Sequence, residues 1–152
     1  MADPTSHYQA PGFATKRILN PIVRGLTRAG ISVMGSRVLV VKGRKSGEPR
    51  RTPVNLLTLD AKQYLVAPRG EAQWVRNVRA DDGRLALQVG RRRTSYVASE
   101  VADADKIGIL RAYLRRWKGE VGVFFGGVDA DSSDEDLLAI APRHPVFSLQ
   151  VQ

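Results

Sequence analysis

There is no cysteine among the 152 residues. That excludes a disulfide framework, a thiolate metal site and a cysteine nucleophile. Histidine is almost as scarce: His7 and His144 are too few and too far apart in sequence to suggest a zinc site, and no catalytic triad is evident around them. No metal is expected, and any redox chemistry would have to be borrowed from a cofactor. Aromatic residues make up only 7% of the chain and are missing from its basic clusters, whereas nucleic-acid modules usually interleave the two or carry a recognised motif. No apolar run reaches the roughly eighteen residues a membrane helix needs, and the start of the chain, MADPTSHYQAPG, has no apolar signal-peptide core. The expectation is a cytoplasmic protein.

What the chain does have is positive charge. Lys and Arg number 24 against 15 Asp and Glu, a formal net charge of +9, so an anionic partner would be drawn in from a distance. Nucleic acid, anionic lipid and a polyanionic small molecule all qualify. The length and the 43% hydrophobic content suit one domain, residues 13–152, behind a flexible arm at 1–12 interrupted by Pro4 and Pro11. Over residues 13–29, Ile18, Leu19, Ile22, Val23 and Leu26 recur at three- and four-residue steps, with Lys16, Arg17, Arg24 and Arg28 between them. This pattern predicts an amphipathic helix ending at Gly30, with Pro21 at a kink or restart. Such a helix packs on a barrel with its cations in water, or makes a peripheral membrane contact.

The rest of the chain is organised around residues 37–53, RVLVVKGRKSGEPRRTP. Residues 38–41 are large aliphatics suited to a buried strand, Gly47-Glu48-Pro49 turns the chain, and a second strand follows over 50–59. Arg44, Lys45, Ser46, Arg50 and Arg51 therefore project from one end of a hairpin, opposed only by Glu48. Basic residues beside a hairpin often serve only to blunt a strand edge. Here the order Gly-Arg-Lys-Ser-Gly-x-Pro-Arg-x-x-Pro crowds four cations into one turn, which reads as a grip for phosphate or carboxylate.

A turn at Asp60-Ala61-Lys62 leads to a third strand over 63–67, making a meander that ends at Pro68-Arg69-Gly70. Residues 72–80 predict a short helix with Trp74 and Asn77 on one face. Trp74 is either a core plug or the neighbour of a flat ring, with Asn77 bonding the backbone of the binding loop. Residues 84–89 and 94–101 predict a hairpin across Gly90-Arg91-Arg92-Arg93, its Leu85, Leu87 and Val89 on one buried face. A helix is predicted over 103–118, capped by Asp103, striped by Ile107, Leu110, Leu114 and Trp117, and ended by Gly119. The segment VGVFFGG at 121–127 either borders a pocket, with Phe124 and Phe125 as its wall, or is a buried connector. An acidic start at 131–135 marks one more short helix, and 142–152 supplies a last strand.

Three motifs in order, GRKSGEPRRTPVN at 43–55, YLVAPRG at 64–70 and WVRN at 74–77, resemble the deazaflavin-dependent nitroreductase and quinone reductase family of actinobacteria. The resemblance covers residues 38–101. It implies a mainly β chain with α: a split β-barrel, of the FMN-binding split-barrel kind, with about six antiparallel strands and N-terminal, connecting and C-terminal helices. It also implies binding of the reduced deazaflavin coenzyme F420, a planar tricycle carrying a ribityl phosphate, a lactyl group and a tail of glutamates.

On that resemblance Arg44, Lys45, Ser46, Arg50 and Arg69 meet the phosphate and the acidic tail. The ring lies over Pro53, Val54 and Asn55 and over Ala67 and Pro68, beside Trp74 and Asn77. The implied reaction passes a hydride from reduced F420 to a small electron-poor acceptor, which is a quinone, a nitro compound or an activated enone. It needs no protein nucleophile, so no catalytic residue is assigned; Tyr8, Tyr96 and Tyr113 are available as proton donors. Relatives with nitroreductase activity place tyrosines where Phe124 and Phe125 stand. Two alternatives remain open here: an FMN-binding split-barrel oxidoreductase, because a phosphate grip does not choose between flavins, and a basic module for nucleic acid or anionic lipid.

Overall fold

The computed structural model describes residues 35–152; the arm at 1–12 and the helix expected over 13–29 lie outside them. In chain order the elements are β1 (Ser36–Lys42), β2 (Pro49–Leu59), β3 (Lys62–Val66), α1 (Gln73–Ala80), β4 (Arg84–Val89), β5 (Arg92–Glu100), α2 (Ile107–Val121), α3 (Asp134–Ile140) and β6 (Val146–Val151). The strands pair in the order β1-β2-β3-β6-β5-β4 and close into a barrel. This is the six-stranded antiparallel split barrel expected from the sequence. Among the described residues no helix is long and apolar enough to cross a membrane.

The described residues form two compact units. The first takes in residues 35–56, Gln73–Ser99 and Leu149–Gln152. Within it β1 pairs antiparallel with β2 from Ser36↔Asn55 to Lys42↔Pro49, and with β4 at Leu39↔Leu87. β4 pairs with β5 at Leu85↔Tyr96. Side chains alternate across a strand, so Leu39, Val41, Leu85, Leu87 and Tyr96 share one face, and all are buried. Val40 and Ala86, on the opposite face, are buried as well. The alternation read in residues 84–89 thus understated the burial of β4, which is covered on both faces. Helix α1 packs on β1 and sends the fully buried Val75 and Val78 inward.

The β4–β5 connection is tighter than expected. Gly90 takes φ 59° at the first central position of a two-residue turn, as a type II′ hairpin demands. Arg92 and Arg93 therefore lie in β5, opposite Val89 and Gln88, and only Arg91 remains in the turn.

The other unit takes in Leu57–Ala72 and Glu100–Ser148. Its core gathers Leu110, Tyr113, Leu114 and Trp117 of α2 with Phe125, Leu137 and Val146. Each large side chain buried this way contributes roughly 1.5 to 3 kcal/mol of transfer free energy. The boundaries of α2 differ from the sequence pattern. Residues Asp103–Asp105 form a 3-10 turn, and Asp103 pairs with Lys106 Nζ at 2.7 Å instead of capping the helix. Lys106, only 3% exposed, also donates to the Ala141 carbonyl at 2.9 Å. The helix runs through Gly119 to Val121, with a local break at Trp117 (φ −123°, ψ 21°). The left-handed residue that stops the helical chain lies further on, at Gly126, after a 3-10 turn over Gly122–Phe125.

The loop into α3 is held by Arg111, which donates to the carbonyls of Ala130 (2.6 Å) and Ser132 (2.8 Å) and pairs with Asp134. Ser133 caps α3, its Oγ accepting from Asp136 N–H at 3.1 Å, and three acidic residues fill the first turn. The Asp131 backbone N–H and then Lys118 hold the Asp129 carboxyl below its ordinary value.

Between β2 and β3 the turn residues Asp60 (φ 52°) and Ala61 (φ 64°) are both left-handed. An L-residue other than Asn, Asp or Gly is disfavoured there. Ala61→Gly is expected to raise stability by about 0.5 to 1 kcal/mol in chemical denaturation. An unchanged or lower stability would mean that the turn relaxes without cost.

Candidate functional site

The loop after β1 is closed on itself by its own backbone. Gly43 N–H donates to the Glu48 carbonyl at 2.8 Å, and Gly47 N–H donates back to the Gly43 carbonyl at 2.8 Å. Ser46 Oγ accepts from Glu48 N–H at 3.2 Å. These bonds leave Arg44, Lys45 and Ser46 projecting from a small fixed turn.

Helix α1 holds the first of these cations from the side. Asn77 Oδ1 accepts from the Arg44 backbone N–H at 3.1 Å and from Arg44 Nη1 at 2.8 Å. One helical turn earlier, Gln73 Oε1 accepts from Arg44 Nη2 at 2.8 Å. Residues four apart share a helix face, so the two amides form a fork around one guanidinium. Asn77 is 5% exposed, and its place is fixed by the burial of Val75 and Val78 on the same short helix.

On β2, Arg50 Nη2 lies 3.5 Å from Ser46 Oγ. Arg51 Nη1 donates to Gln88 Oε1 at 3.1 Å. Among the described residues, every hydrogen-bond partner of these side chains is neutral. Among the described residues, Arg44, Lys45, Arg50 and Arg51 pair with no carboxylate. The amides and the serine hydroxyl orient the cations without cancelling their charge. Each guanidinium keeps free donors for a ligand oxygen.

Together the loop, the start of β2 and the first turn of α1 enclose a cleft of about 560 Å³. Seven of the residues singled out from the sequence line it: Arg44, Lys45, Ser46, Arg50, Arg51, Trp74 and Asn77. Gln73 lines it too and was not singled out. The available signal was its four-residue spacing from Asn77, which means something only once Arg44 is known to lie opposite. Pro53, Val54 and Asn55 continue β2 opposite Val38, Arg37 and Ser36, half-buried and beyond the cleft lining, which ends at Thr52.

Ala67, Pro68 and Arg69 belong to the other unit. Ala67 N–H donates to the Pro145 carbonyl at 2.9 Å, and the Ala67 carbonyl accepts from Gly70 N–H at 3.2 Å. The Arg69 guanidinium lies 4.4 Å over the ring of Phe124, a cation–π contact. Phe125 is not a pocket wall. It is 1% exposed, stacks on His144 at 4.1 Å between ring centroids and lies 6.3 Å from Tyr113. Tyr96 and Tyr113 are buried in the cores of their own units.

No curated protein matches the chain. Among solved structures, an F420-H2 dependent reductase (FDR-A) is similar at 17% identity with a TM-score of 0.51, over 76% of this chain and 94% of that one. General Stress Protein 26 from Bacillus anthracis is similar at 10% identity and a TM-score of 0.51, over 88% of each chain. The heme storage protein HutZ from Vibrio cholerae is similar at 11% identity and a TM-score of 0.51, over 88% of this chain and 90% of that one. At such identities the likeness establishes a common fold and says nothing of ligands. The sequence itself is more specific, because residues 16–129 match one family throughout, three quarters of the chain and the whole of the cleft. On that match the chain belongs to the F420H(2)-dependent quinone reductase family.

Proposed function

We propose that the chain reduces a small electron-poor acceptor, a quinone foremost, at the expense of reduced F420, and that the cleft between the 43–48 loop and α1 holds the anionic part of the coenzyme. The observation that carries this reading is a set of four cations around one cleft that pair with no carboxylate among the described residues. A phosphate and a run of carboxylates are the complement of such a donor set. The volume, about 560 Å³, falls within the range of ordinary ligand sites.

When bound, the coenzyme supplies a hydride to the acceptor, which takes up a proton to complete its two-electron reduction. The protein's part is to bind and orient. Arg44, held by Asn77 and Gln73, offers its remaining N–H donors in a fixed plane. Lys45 adds a mobile point charge, and Arg50 with Ser46 closes the other side. Trp74 gives the cleft an apolar wall, fit for a flat ring. Nitro compounds and activated enones are further acceptors of the same electronic kind.

The test is titration of the purified protein with F420 and with FMN, followed by intrinsic tryptophan emission, and then oxidation of F420H2 on addition of a quinone. Binding of F420 in preference to FMN, with quinone-dependent oxidation, is expected. Preference for FMN would make the protein a flavin enzyme on the same barrel. Binding of neither, with salt-sensitive binding to DNA or anionic vesicles, would make it a basic docking module.

A further inference from the structure

The fork that holds Arg44 uses only the oxygen of each amide. Asn77 Oδ1 accepts from the Arg44 backbone N–H and from Nη1, and Gln73 Oε1 accepts from Nη2. These bonds also decide which way each amide is turned. An amide NH2 group cannot accept a hydrogen bond, so the reverse orientation would set donors against the donors of Arg44. Both oxygens must face the guanidinium, and each NH2 group is turned away from it.

Among the described residues neither Asn77 Nδ2 nor Gln73 Nε2 donates to a protein acceptor. Gln73 is exposed, and bulk water can meet its donors. Asn77 is only 5% exposed, and folded proteins rarely leave a buried amide donor unmet unless a water or a ligand completes it. Both residues line the cleft, one helical turn apart on α1 with Trp74 between them in sequence.

The surroundings define the kind of atom these donors suit. Arg44 spends two of its five side-chain N–H groups on the amides, which leaves three. No Asp or Glu lines the cleft, and the first turn of α1, where Gln73 stands, holds no acid. The partial positive charge of that helix end is therefore not cancelled. One guanidinium and two neutral amides supply donors only, and the complement of such a set is an oxygen that carries negative charge and accepts several hydrogen bonds.

We propose that Gln73 and Asn77 bind the ligand directly, their NH2 groups donating to the phosphate oxygens of the coenzyme beside Arg44. Each amide then has two tasks: its oxygen orients the cation, and its nitrogen touches the anion. The inference rests on the reading of the cleft given above and adds a residue to it. The motif WVRN begins after Gln73, and the role expected of Asn77 was to bond the backbone of the binding loop, which its Oδ1 does.

The experiment is a double-mutant cycle on Gln73→Met and Arg44→Ala, read by isothermal titration with F420 on proteins checked for equal melting temperature. Gln73→Met keeps the length of the side chain and removes both hydrogen-bonding groups. It is expected to weaken binding roughly three- to tenfold, and at least about threefold of that loss should persist in the Arg44→Ala background. A loss that disappears once Arg44 is gone would show that Gln73 acts only by holding the guanidinium, and would overturn the direct contact. No loss in either background would overturn it as well. A second measurement does not depend on any variant's affinity: the side-chain NH2 resonances of Gln73 and Asn77 should shift and gain protection from hydrogen exchange as F420 is added, and resonances that stay in place in a protein that binds F420 would contradict the proposal. Failure of the unaltered protein to bind F420, or full affinity in Arg44→Ala, is a separate result that would remove the cleft reading and this inference with it.

Discussion

Arg44→Ala is expected to weaken F420 binding by about ten- to a hundredfold, the range that one charge-assisted hydrogen-bonding group supplies. Two losses combine in this variant. The coenzyme loses a cation held in a fixed plane, and Asn77, 5% exposed, keeps only the Arg44 backbone N–H of its two donors. A sharper variant is Asn77→Asp. It keeps an oxygen where Arg44 needs an acceptor, so the geometry of the fork survives, but it places a carboxylate against the guanidinium. If the cation matters only as a structural strut, Asn77→Asp should leave affinity unchanged, because Arg–carboxylate bonds are at least as strong. If the neutral amide is there so that the charge stays available, affinity should fall about tenfold while the melting temperature holds or rises. Isothermal titration with F420 beside a thermal scan separates the two outcomes.

Gly83→Ala is expected to be the most damaging single change to the fold, at about 3 kcal/mol or more, or roughly 10 °C in melting temperature for a chain of this size. Gly83 has φ 84°, and a Cβ there would stand 2.2 Å from the Ala98 carbonyl oxygen. Neither side can yield easily. Gly83 N–H donates to the Val78 carbonyl at 2.9 Å, and the Gly83 carbonyl accepts from Ala98 N–H at 2.8 Å. The residue thus ties the end of α1 to β5, and the clash is with backbone rather than with a side chain that could swing away. Gly119→Ala is the control. Nothing lies within 4 Å of its added Cβ and it sits inside α2, so that change should be neutral or stabilising by up to about 1 kcal/mol. A Gly83 variant as stable as the control would mean that β5 can shift away from α1.

The two glycines illustrate what the sequence could and could not reveal. Both stand near the end of a helical pattern, and the sequence reading gave the stop to Gly119. The stop is set by backbone dihedrals further on, at Gly126, and nothing in composition distinguishes the two. Strands were easier to read. The run Val38 to Val41 has no reasonable state but a buried strand, and Gly47-Glu48-Pro49 marks the turn after it, so β1 and β2 came out within a residue or two of their observed ends.

Four cations and a serine in the 43–51 segment were legible as a cluster for the same reason: they are local in sequence. Gln73 was not, because its role depends on a guanidinium 29 residues away. The choice left open for Phe125, pocket wall or buried connector, could not be made from the sequence for a similar reason, since its partner in stacking, His144, is 19 positions on. Arg93 illustrates how a single residue matters. A turn of two residues rather than four moves it from a loop tip to a rung opposite Gln88.

All of these proposals depend on cations kept oriented and uncompensated for an anionic ligand. The most direct test is the dissociation constant of F420 measured from about 50 mM to about 500 mM salt, for the unaltered protein and for Arg44→Ala. The expected result is an affinity that falls steadily with the logarithm of salt concentration, on a slope that is shallower in the variant. An affinity that stays flat across the range in both proteins would contradict an electrostatic grip, whatever its value.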